Sequence, residues 1–369
     1  ICACLVGSEM CIRDRLITMC VIAYNEEQNI NGILECIKNQ DYDHNNMEVV
    51  LVDGASTDNT RALMCEFALD NKDEFRRVVV LDNPKKTLPS GWNVALREYK
   101  GDAIIKVDAH AVIPEDFVSK NVRVLETGEY ICGGQRPNII DKPTPFKETL
   151  LLAESSMFGS SIASYRNNPG KTYVKSLFHA AYRREVFEKV GFFNEELVRT
   201  EDNEIHYRMR KAGYKLCFDP DIISYQYTRS SLKAMLKQKY ANGYWIGKTS
   251  KVCPKCLSIY HFVPFAFVSA IIASGSVIGA TGLAECIKKR HNHTLGKGIS
   301  ALRKVTVVLT TVMWVLYALM ASGMAAVSAF KAEDKRNITN ACLPVLFLLL
   351  HLSYGIGTIA GLMDKSKRG

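Results

Sequence analysis

Apolar runs and amphipathic stretches alternate along the first 250 residues of the chain. Leu16–Ala23 is a continuous apolar run that predicts a buried strand, and the stretch from Glu26 to Asn39 predicts the helix after it. Further strands are expected at Met47–Val52, Phe75–Asp82 and Ala103–Val107, and a fifth begins at Tyr130–Cys132. Between them, Thr57–Asp70, Leu88–Lys100 and Pro114–Thr127 read as helices, with Pro89 tolerated in a first turn and Pro114 opening its helix. This alternation predicts an α/β fold with a mainly parallel sheet covered on both faces. Ligands of such sheets bind beyond the carboxyl ends of the strands. That rule directs attention to Ala23–Glu27, Asp53–Thr57, Asp82–Lys86 and Asp108–Ala111.

The pattern changes after residue 256. Leu257–Leu283, Val305–Phe330 and Ala341–Met363 contain no Asp, Glu, Lys or Arg over 27, 26 and 23 residues. Each is long enough to cross a hydrocarbon core about 30 Å thick as a helix. Charge divides at the same place. Residues 1–256 hold 35 basic and 34 acidic residues, whereas 257–369 hold 12 basic and 4 acidic, so the net charge of +9 belongs mostly to the tail. This argues against a purely soluble enzyme and against a nucleic-acid binder with a basic domain. It also argues against a disordered chain, since the first 256 residues are apolar enough to bury a core.

Ile1–Arg15 has neither a basic leading region nor a long apolar run, so it does not read as a signal peptide and is expected to stay outside the fold. Cys20, Cys36, Cys65, Cys132 and Cys217 fall on predicted apolar faces and read as buried thiols. Cys253-Pro-Lys-Cys256 has no second pair of ligands at zinc spacing. Free thiols of this kind suit a cytosolic setting. No G-x-G-x-x-G follows the first strand and no G-x-x-x-x-G-K-[ST] occurs, which argues against dinucleotide-binding and P-loop chemistry.

The strand-end segments read Val21-Ile22-Ala23-Tyr24-Asn25-Glu26-Glu27, Val52-Asp53-Gly54-Ala55-Ser56-Thr57-Asp58-Asn59-Thr60 and Val107-Asp108-Ala109-His110-Ala111. Gly133-Gly134, Phe192-Phe193-Asn194-Glu195-Glu196, Arg199-Thr200-Glu201-Asp202-Asn203-Glu204 and Tyr207–Gly213 follow in order. Together these segments resemble the inverting glycosyltransferases of family 2. The Asp-Ala-His-Ala wording and His351-Leu352-Ser353-Tyr354-Gly355 are most similar to the succinoglycan-type exopolysaccharide enzymes. The resemblance implies a GT-A fold, a Rossmann-like nucleotide-diphospho-sugar transferase domain, over residues 16–250. A membrane-associated helical tail over 251–369 follows it.

The resemblance also implies roles. Ala23, Tyr24, Asn25, Glu26, Asp53, Asn93 and Asp108 would contact the donor, with Asp53 on the uracil or its ribose; its alternative is an Asx-turn, a role that fits Asp58 better. Asn93, in Gly91-Trp92-Asn93, would be either structural or ligand-binding. Asp108 and His110 occupy the place of the metal-binding DXD motif, with histidine in place of its second acid. Strand alternation points both the same way. Imidazole plus carboxylate suits Mn²⁺ better than Mg²⁺, and His110 is either a ligand or a hydrogen-bond donor behind it. Asp202 would be the general base that takes the proton of the acceptor hydroxyl. Acids in a first helical turn are also favoured by the helix dipole, which accounts for Glu201 and Glu204. Gly134, Glu201, Gln238 and Trp245 would meet the acceptor or the diphosphate. Gln238 stands where relatives carry Q-x-x-R-W, but the arginine is missing; Arg229, Lys239 and Lys248 are the cations nearby.

The expected function is a membrane-bound, inverting hexosyltransferase of extracellular polysaccharide biosynthesis. It would move a sugar from a nucleotide-diphosphate donor, UDP-sugar first, to a polyprenyl-diphosphate-linked saccharide, with a divalent metal as cofactor and no nucleic acid as partner. Alternatives are a polyprenyl-phosphate glycosyltransferase, a processive polysaccharide synthase, and an inactive membrane scaffold. The catalytic part would face the cytosol at the inner or plasma membrane. If all three apolar segments cross, residues 284–304, with Lys288, Lys289, Arg290, Lys297, Arg303 and Lys304, lie outside against the positive-inside rule. The expectation is therefore that 257–283 is re-entrant or interfacial, with Pro264, Gly275, Gly279 and Gly282 allowing a broken helix.

Overall fold

The computed structural model describes residues 15–159, 170–290, 296–332 and 337–365, so the expected N-terminal extension lies outside it but for Arg15. These residues fall into two compact units: the described parts of 1–139 with 162–228, and of 140–161 with 229–367. Elements are numbered along the whole chain.

The first unit is built on β1 (Ile17–Ala23), β2 (Met47–Asp53), β3 (Arg77–Asp82) and β4 (Ala103–Asp108). They run parallel in the order β3-β2-β1-β4, with α1 (Ile30–Lys38), α2 (Thr60–Asp70) and α3 (Leu88–Glu98) as crossovers. Every residue of β1 and β2 is buried, as expected of strands covered on both faces. After β5 (Ala111–Val112) and α4 (Phe117–Glu126) come β6 (Ile131–Gln135) and β7 (Asn138–Ile139). Then follow β8 (Thr172–Val174), β9 (Ala181–Arg183), α6 (Arg184–Val190), α7 (Glu201–Lys211), β10 (Leu216–Ile223) and β11 (Tyr225–Tyr227). The main sheet has the order β3-β2-β1-β4-β9-β6-β10-β8. It is mixed, because β9 lies antiparallel between β4 and β6 and β8 lies antiparallel on β10. A small sheet, β5-β11-β7, stands beside it.

The expected elements are present; α3 begins at Leu88 as expected, while α1, α2 and α4 begin later than their sequence patterns. Helix α1 starts at Ile30 and not at Glu26, because the amides of Asn25, Glu26 and Glu27 donate to Ser56, Thr60 and Asp58. The amides of Thr57 and Asn59 likewise donate to Asn25 and Glu27, which delays α2 to Thr60. Core packs on both faces of the sheet: Met19, Val21 and Ile105 face one side, Cys20, Ile22 and Ile104 the other. Cys20, Cys132 and Cys217 are buried free thiols, and Cys36 and Cys65 are partly buried.

The second unit is helical: α5 (Pro145–Ser155), α8 (Leu232–Val252), α9 (Val263–Arg290), α10 (Lys297–Lys331) and α11 (Leu343–Met363). Ile259–Lys288, Lys297–Lys331 and Ile338–Met363 have mean hydropathies of 2.0, 1.9 and 1.9 and are long and apolar enough to cross a membrane. Helix α9 runs unbroken through Gly275, Gly279 and Gly282, with Pro264 near its start, so the expected break inside this segment does not occur. Helix α8 lies along α11 at glycines: a Cβ on Gly243 would stand 2.0 Å from the Tyr354 carbonyl, and one on Gly361 2.0 Å from that of Tyr244. A buried ion pair, Lys239 to Glu154 at 3.4 Å, joins α8 to α5.

Candidate active site

The loops after β1 and β2 are laced together by the hydrogen bonds that delay α1 and α2. Asn25, at φ +54°, presents Oδ1 to the amide of Thr57 at 2.8 Å. Asparagine is among the few residues that tolerate this left-handed conformation. The Ala23 carbonyl accepts the amide of Gly54 at 2.8 Å, and Tyr24 is exposed beside it. Asp53, only 2% exposed, accepts the Ser56 amide on both carboxylate oxygens at 3.3 and 3.2 Å. It therefore makes the Asx-type turn, while Asp58 accepts from the amide and hydroxyl of Thr60 at the start of α2.

Strand β4 carries the charged residues. Asp108 ends it, and His179 Nε2 stands 3.6 Å from Asp108 Oδ2. Burial opposes ionisation of this carboxyl, but His179, His110 and Lys106 together hold it well below the usual carboxylate range. His110 is engaged on both ring nitrogens: Nδ1 lies 3.3 Å from Glu26 Oε1, and Nε2 lies 3.2 Å from the Gln226 amide nitrogen. The geometry is that of the hydrogen-bonding role more than of a ligand with a free lone pair.

Lys106, two residues before Asp108, is, like His179, a residue that reading the sequence missed. Its ammonium pairs with Asp202 Oδ1 and lies 4.0 Å from Glu201 Oε1. Burial lowers its proton affinity, yet Asp202, Glu201 and Asp108 outweigh that and keep it charged. A signal was present: a lysine between Ile105 and Val107 in a strand buried on both faces must find carboxylates.

Asp202 opens α7 next to Glu201. Glu201 is 3% exposed, and burial, then the Asp202 charge, push its carboxyl up to about 8. Burial therefore works against the dipole argument for an ionised acid at Glu201. Glu204 follows another course, in a two-pronged pair with Arg208 at 2.6 and 2.9 Å.

Two expected residues are turned into the protein. The Asn93 amide accepts from the backbone of Phe193 at 2.8 Å and donates to the Phe193 carbonyl and to Glu195, each at 2.9 Å. At Gly134 a Cβ would stand 1.9 Å from the Ile222 carbonyl, so the missing side chain makes room for β10. Gln238 and Trp245 belong to α8 in the second unit. Gln238 Oε1 is buried without a hydrogen-bond partner among the described residues, and Trp245 packs edge-on against Tyr244. Of the cations near them, Lys239 is paired with Glu154 and Lys248 with Asp364 at 3.3 Å. The structure thus brings together Glu26, His110, Asp108 and, through Lys106, Glu201 and Asp202.

Residues 18–191 match the family model described as Glycosyl transferase family 2. The chain is 26% identical over 264 residues to a Methanococcus voltae enzyme, dolichyl N-acetyl-alpha-D-glucosaminyl phosphate 3-beta-D-2,3-diacetamido-2,3-dideoxy-beta-D-glucuronosyltransferase, covering 70% of this chain and 80% of that one. It is 29% identical over 224 residues to the succinoglycan biosynthesis protein ExoA of Rhizobium meliloti, covering 59% of this chain and 65% of the relative. In fold it is similar to the mannosyltransferase PcManGT of Pyrobaculum calidifontis, solved with GDP-Man and Mn²⁺, at a TM-score of 0.56 and 17% identity over 95% of this chain and 88% of that one.

Proposed function

The chain carries a glycosyl transferase family 2 domain of GT-A fold and is a glycosyltransferase, and from that premise we propose that it is a membrane-bound inverting enzyme moving a sugar from a nucleotide-diphosphate donor to a lipid-linked saccharide. One observation carries this reading: β4 and the first turn of α7 bring Asp108 and Asp202 within electrostatic reach of the buried ammonium of Lys106, which pairs with Asp202. In the reaction, the acceptor hydroxyl oxygen attacks the anomeric carbon as the bond to the diphosphate breaks. The nucleoside diphosphate leaves with the bonding pair, the hydroxyl proton passes to Asp202, and the anomeric configuration inverts. On the donor side Asp53 and the Tyr24–Glu26 loop meet the nucleoside, with UDP the first candidate.

The residues also fit a divalent metal. Asp108 is held ionised, and a carboxylate with diphosphate oxygens is an ordinary ligand set for Mn²⁺ or Mg²⁺. Among the described residues no third side-chain ligand joins Asp108 and His110, so Asp108 would hold the ion and His110 would ligate only on releasing Gln226. When bound, the metal offsets charge on the departing diphosphate. The names of the relatives, one acting on a dolichyl-phosphate saccharide and one in succinoglycan biosynthesis, support a lipid-linked acceptor in extracellular polysaccharide assembly. Three apolar helices with largely exposed side chains support a place in the plasma membrane, the catalytic unit on the cytosolic side.

The test is transfer by detergent-purified protein from UDP- and GDP-sugars to a polyprenyl-linked acceptor, with and without Mn²⁺. Asp202→Asn is expected to bind the donor and to lose about 10²- to 10⁴-fold in transfer rate, the usual contribution of a general base. Undiminished transfer by that variant sinks the assignment.

A further inference from the structure

Lys106 has no part in the reaction as written above, yet much of the site is arranged around it. Its side chain is 6% exposed. The ammonium lies 5.1 Å from the ring of Trp92 and 5.8 Å from that of Phe193, within reach of both π faces. Those two walls are themselves fixed. Trp92 is buried on α3, and its neighbour Asn93 grips the Phe193 backbone by its amide and carbonyl. Asn93 also holds Glu195, which pairs with Lys85 at 2.7 Å. The rings of Trp92 and Phe193 lie 6.4 Å apart, so Gly91-Trp92-Asn93 and Phe192-Phe193-Asn194-Glu195 together build one aromatic seat under the lysine. On its open side the lysine meets Asp202 through Oδ1 only. Asp202 is 20% exposed, and its Oδ2 has no hydrogen-bond partner among the described residues.

We propose that Lys106 is the positioning residue of the base: seated over the adjoining rings of Trp92 and Phe193, its ammonium fixes one oxygen of Asp202 so that the other faces the acceptor hydroxyl. The inference rests on Asp202 being the base. Lys106 touches neither substrate; it acts by fixing the rotamer of the group that does. Small misplacements of a catalytic group cost about 10²-fold in rate, and the effect should fall on turnover and not on donor binding.

The experiment compares Lys106→Met, Lys106→Arg, Asp202→Asn and the double variant Lys106→Met/Asp202→Asn, as full-length protein in detergent. Donor binding is read by calorimetry and transfer by steady-state kinetics. Lys106→Met is expected to lower kcat about 100-fold with donor KM and Kd within about threefold. Lys106→Arg, which keeps the charge, should recover at least a tenth of the wild-type rate. The double variant should be no slower than Asp202→Asn alone, because Lys106 acts through Asp202. A Lys106→Met enzyme within fivefold of wild-type kcat overturns the proposal. So does a rise in donor Kd that accounts for the whole loss, or a further loss in the double variant. If Lys106→Met fails to fold, Phe193→Leu replaces it, with a loss confined to kcat expected; unchanged kcat overturns the proposal. Wild-type transfer by Asp202→Asn would instead remove the reading on which this one stands, and is measured separately.

Discussion

His179 Nε2 stands 3.6 Å from Asp108 Oδ2, and Nδ1 of the same ring bonds Ser224 Oγ at 2.8 Å. Burial lowers the proton affinity of this imidazole against the pull of Asp108, and its Nε2 is buried without a hydrogen-bond partner among the described residues. Asp108 is then the ionised group to which a metal would bind, and His110, held by Glu26 and Gln226, stands behind it. Asp108→Asn is expected to eliminate Mn²⁺-dependent transfer. His110→Asn should weaken Mn²⁺ about 10- to 100-fold, the usual cost of losing a residue that orients a ligand. Mn²⁺ titration of the nucleotide complex by electron paramagnetic resonance checks both. Equal damage from the two substitutions would make His110 a direct ligand.

Glu201 gives the catalytic unit a pH dependence of known sign. Its carboxyl titrates at 4.5 in an ordinary setting and at about 8 in the fold. Between those values the unfolded chain sheds the proton and the folded chain keeps it, so stability falls as pH rises from about 4.5 to about 8. Glu201→Gln keeps the shape and removes the titration. The variant is expected to match the wild type near pH 4.5 and to gain on it steadily toward pH 8 in thermal unfolding. A gap that stays constant over that range would mean Glu201 is ionised in the fold.

Paired glycines set the contact between α8 and α11. Tyr240 meets Gly357 and Tyr244 meets Gly361, so the partners advance together and the two helices run parallel. A Cβ at Gly357 would stand 2.1 Å from the Tyr240 carbonyl, too close for anything but a shift of one helix. Gly357→Ala or Gly361→Ala should each destabilise the helical unit by about 1–3 kcal/mol, the cost of overpacking a close contact. Gly279→Ala on α9 is the control, since nothing lies within 4 Å of its added methyl. Unfolding in detergent separates the two outcomes; equal effects at 279 and 361 would remove the close contact.

Much of the first unit was legible because its strands are short apolar runs with polar ends, so β1 to β4 and the residues closing them could be read directly. Asp108 and Asp202 could be singled out as candidates through motif order. What was not legible depends on partners far apart in sequence. Asn93 reads equally as structural or ligand-binding until Phe193, a hundred residues on, takes up its hydrogen bonds. Lys106 gains meaning only through Trp92, Phe193 and Asp202. The antiparallel strand β9 is three residues long, too short for a pattern of its own. Glu201 and Asp202 are adjacent acids in one helical turn, and only the fold shows that Glu201 is buried and Asp202 partly exposed.

The continuity of α9 bears on how the tail meets the bilayer. Twenty-eight residues at 1.5 Å each make a helix of about 42 Å, longer than a hydrocarbon core. A re-entrant path needs a break, and a break leaves backbone groups that protein or water must satisfy. The described helix has none, and Pro264 sits near its start, where its missing N–H costs nothing. The opposing argument is the basic connector between α9 and α10, of which one charge, Arg303, is offset by Glu285. Continuity is the stronger constraint, because the charge rule biases insertion by a few residues' worth of energy while an unpaired backbone in lipid costs several kcal/mol per group. In a cysteine-free background, a cysteine at Gly298 should react with an impermeant maleimide added outside intact cells. One at Leu69, exposed on the catalytic unit, should react only after permeabilisation. Labelling of Gly298→Cys only from the inside would place both ends of α9 on the cytosolic side and restore the re-entrant path.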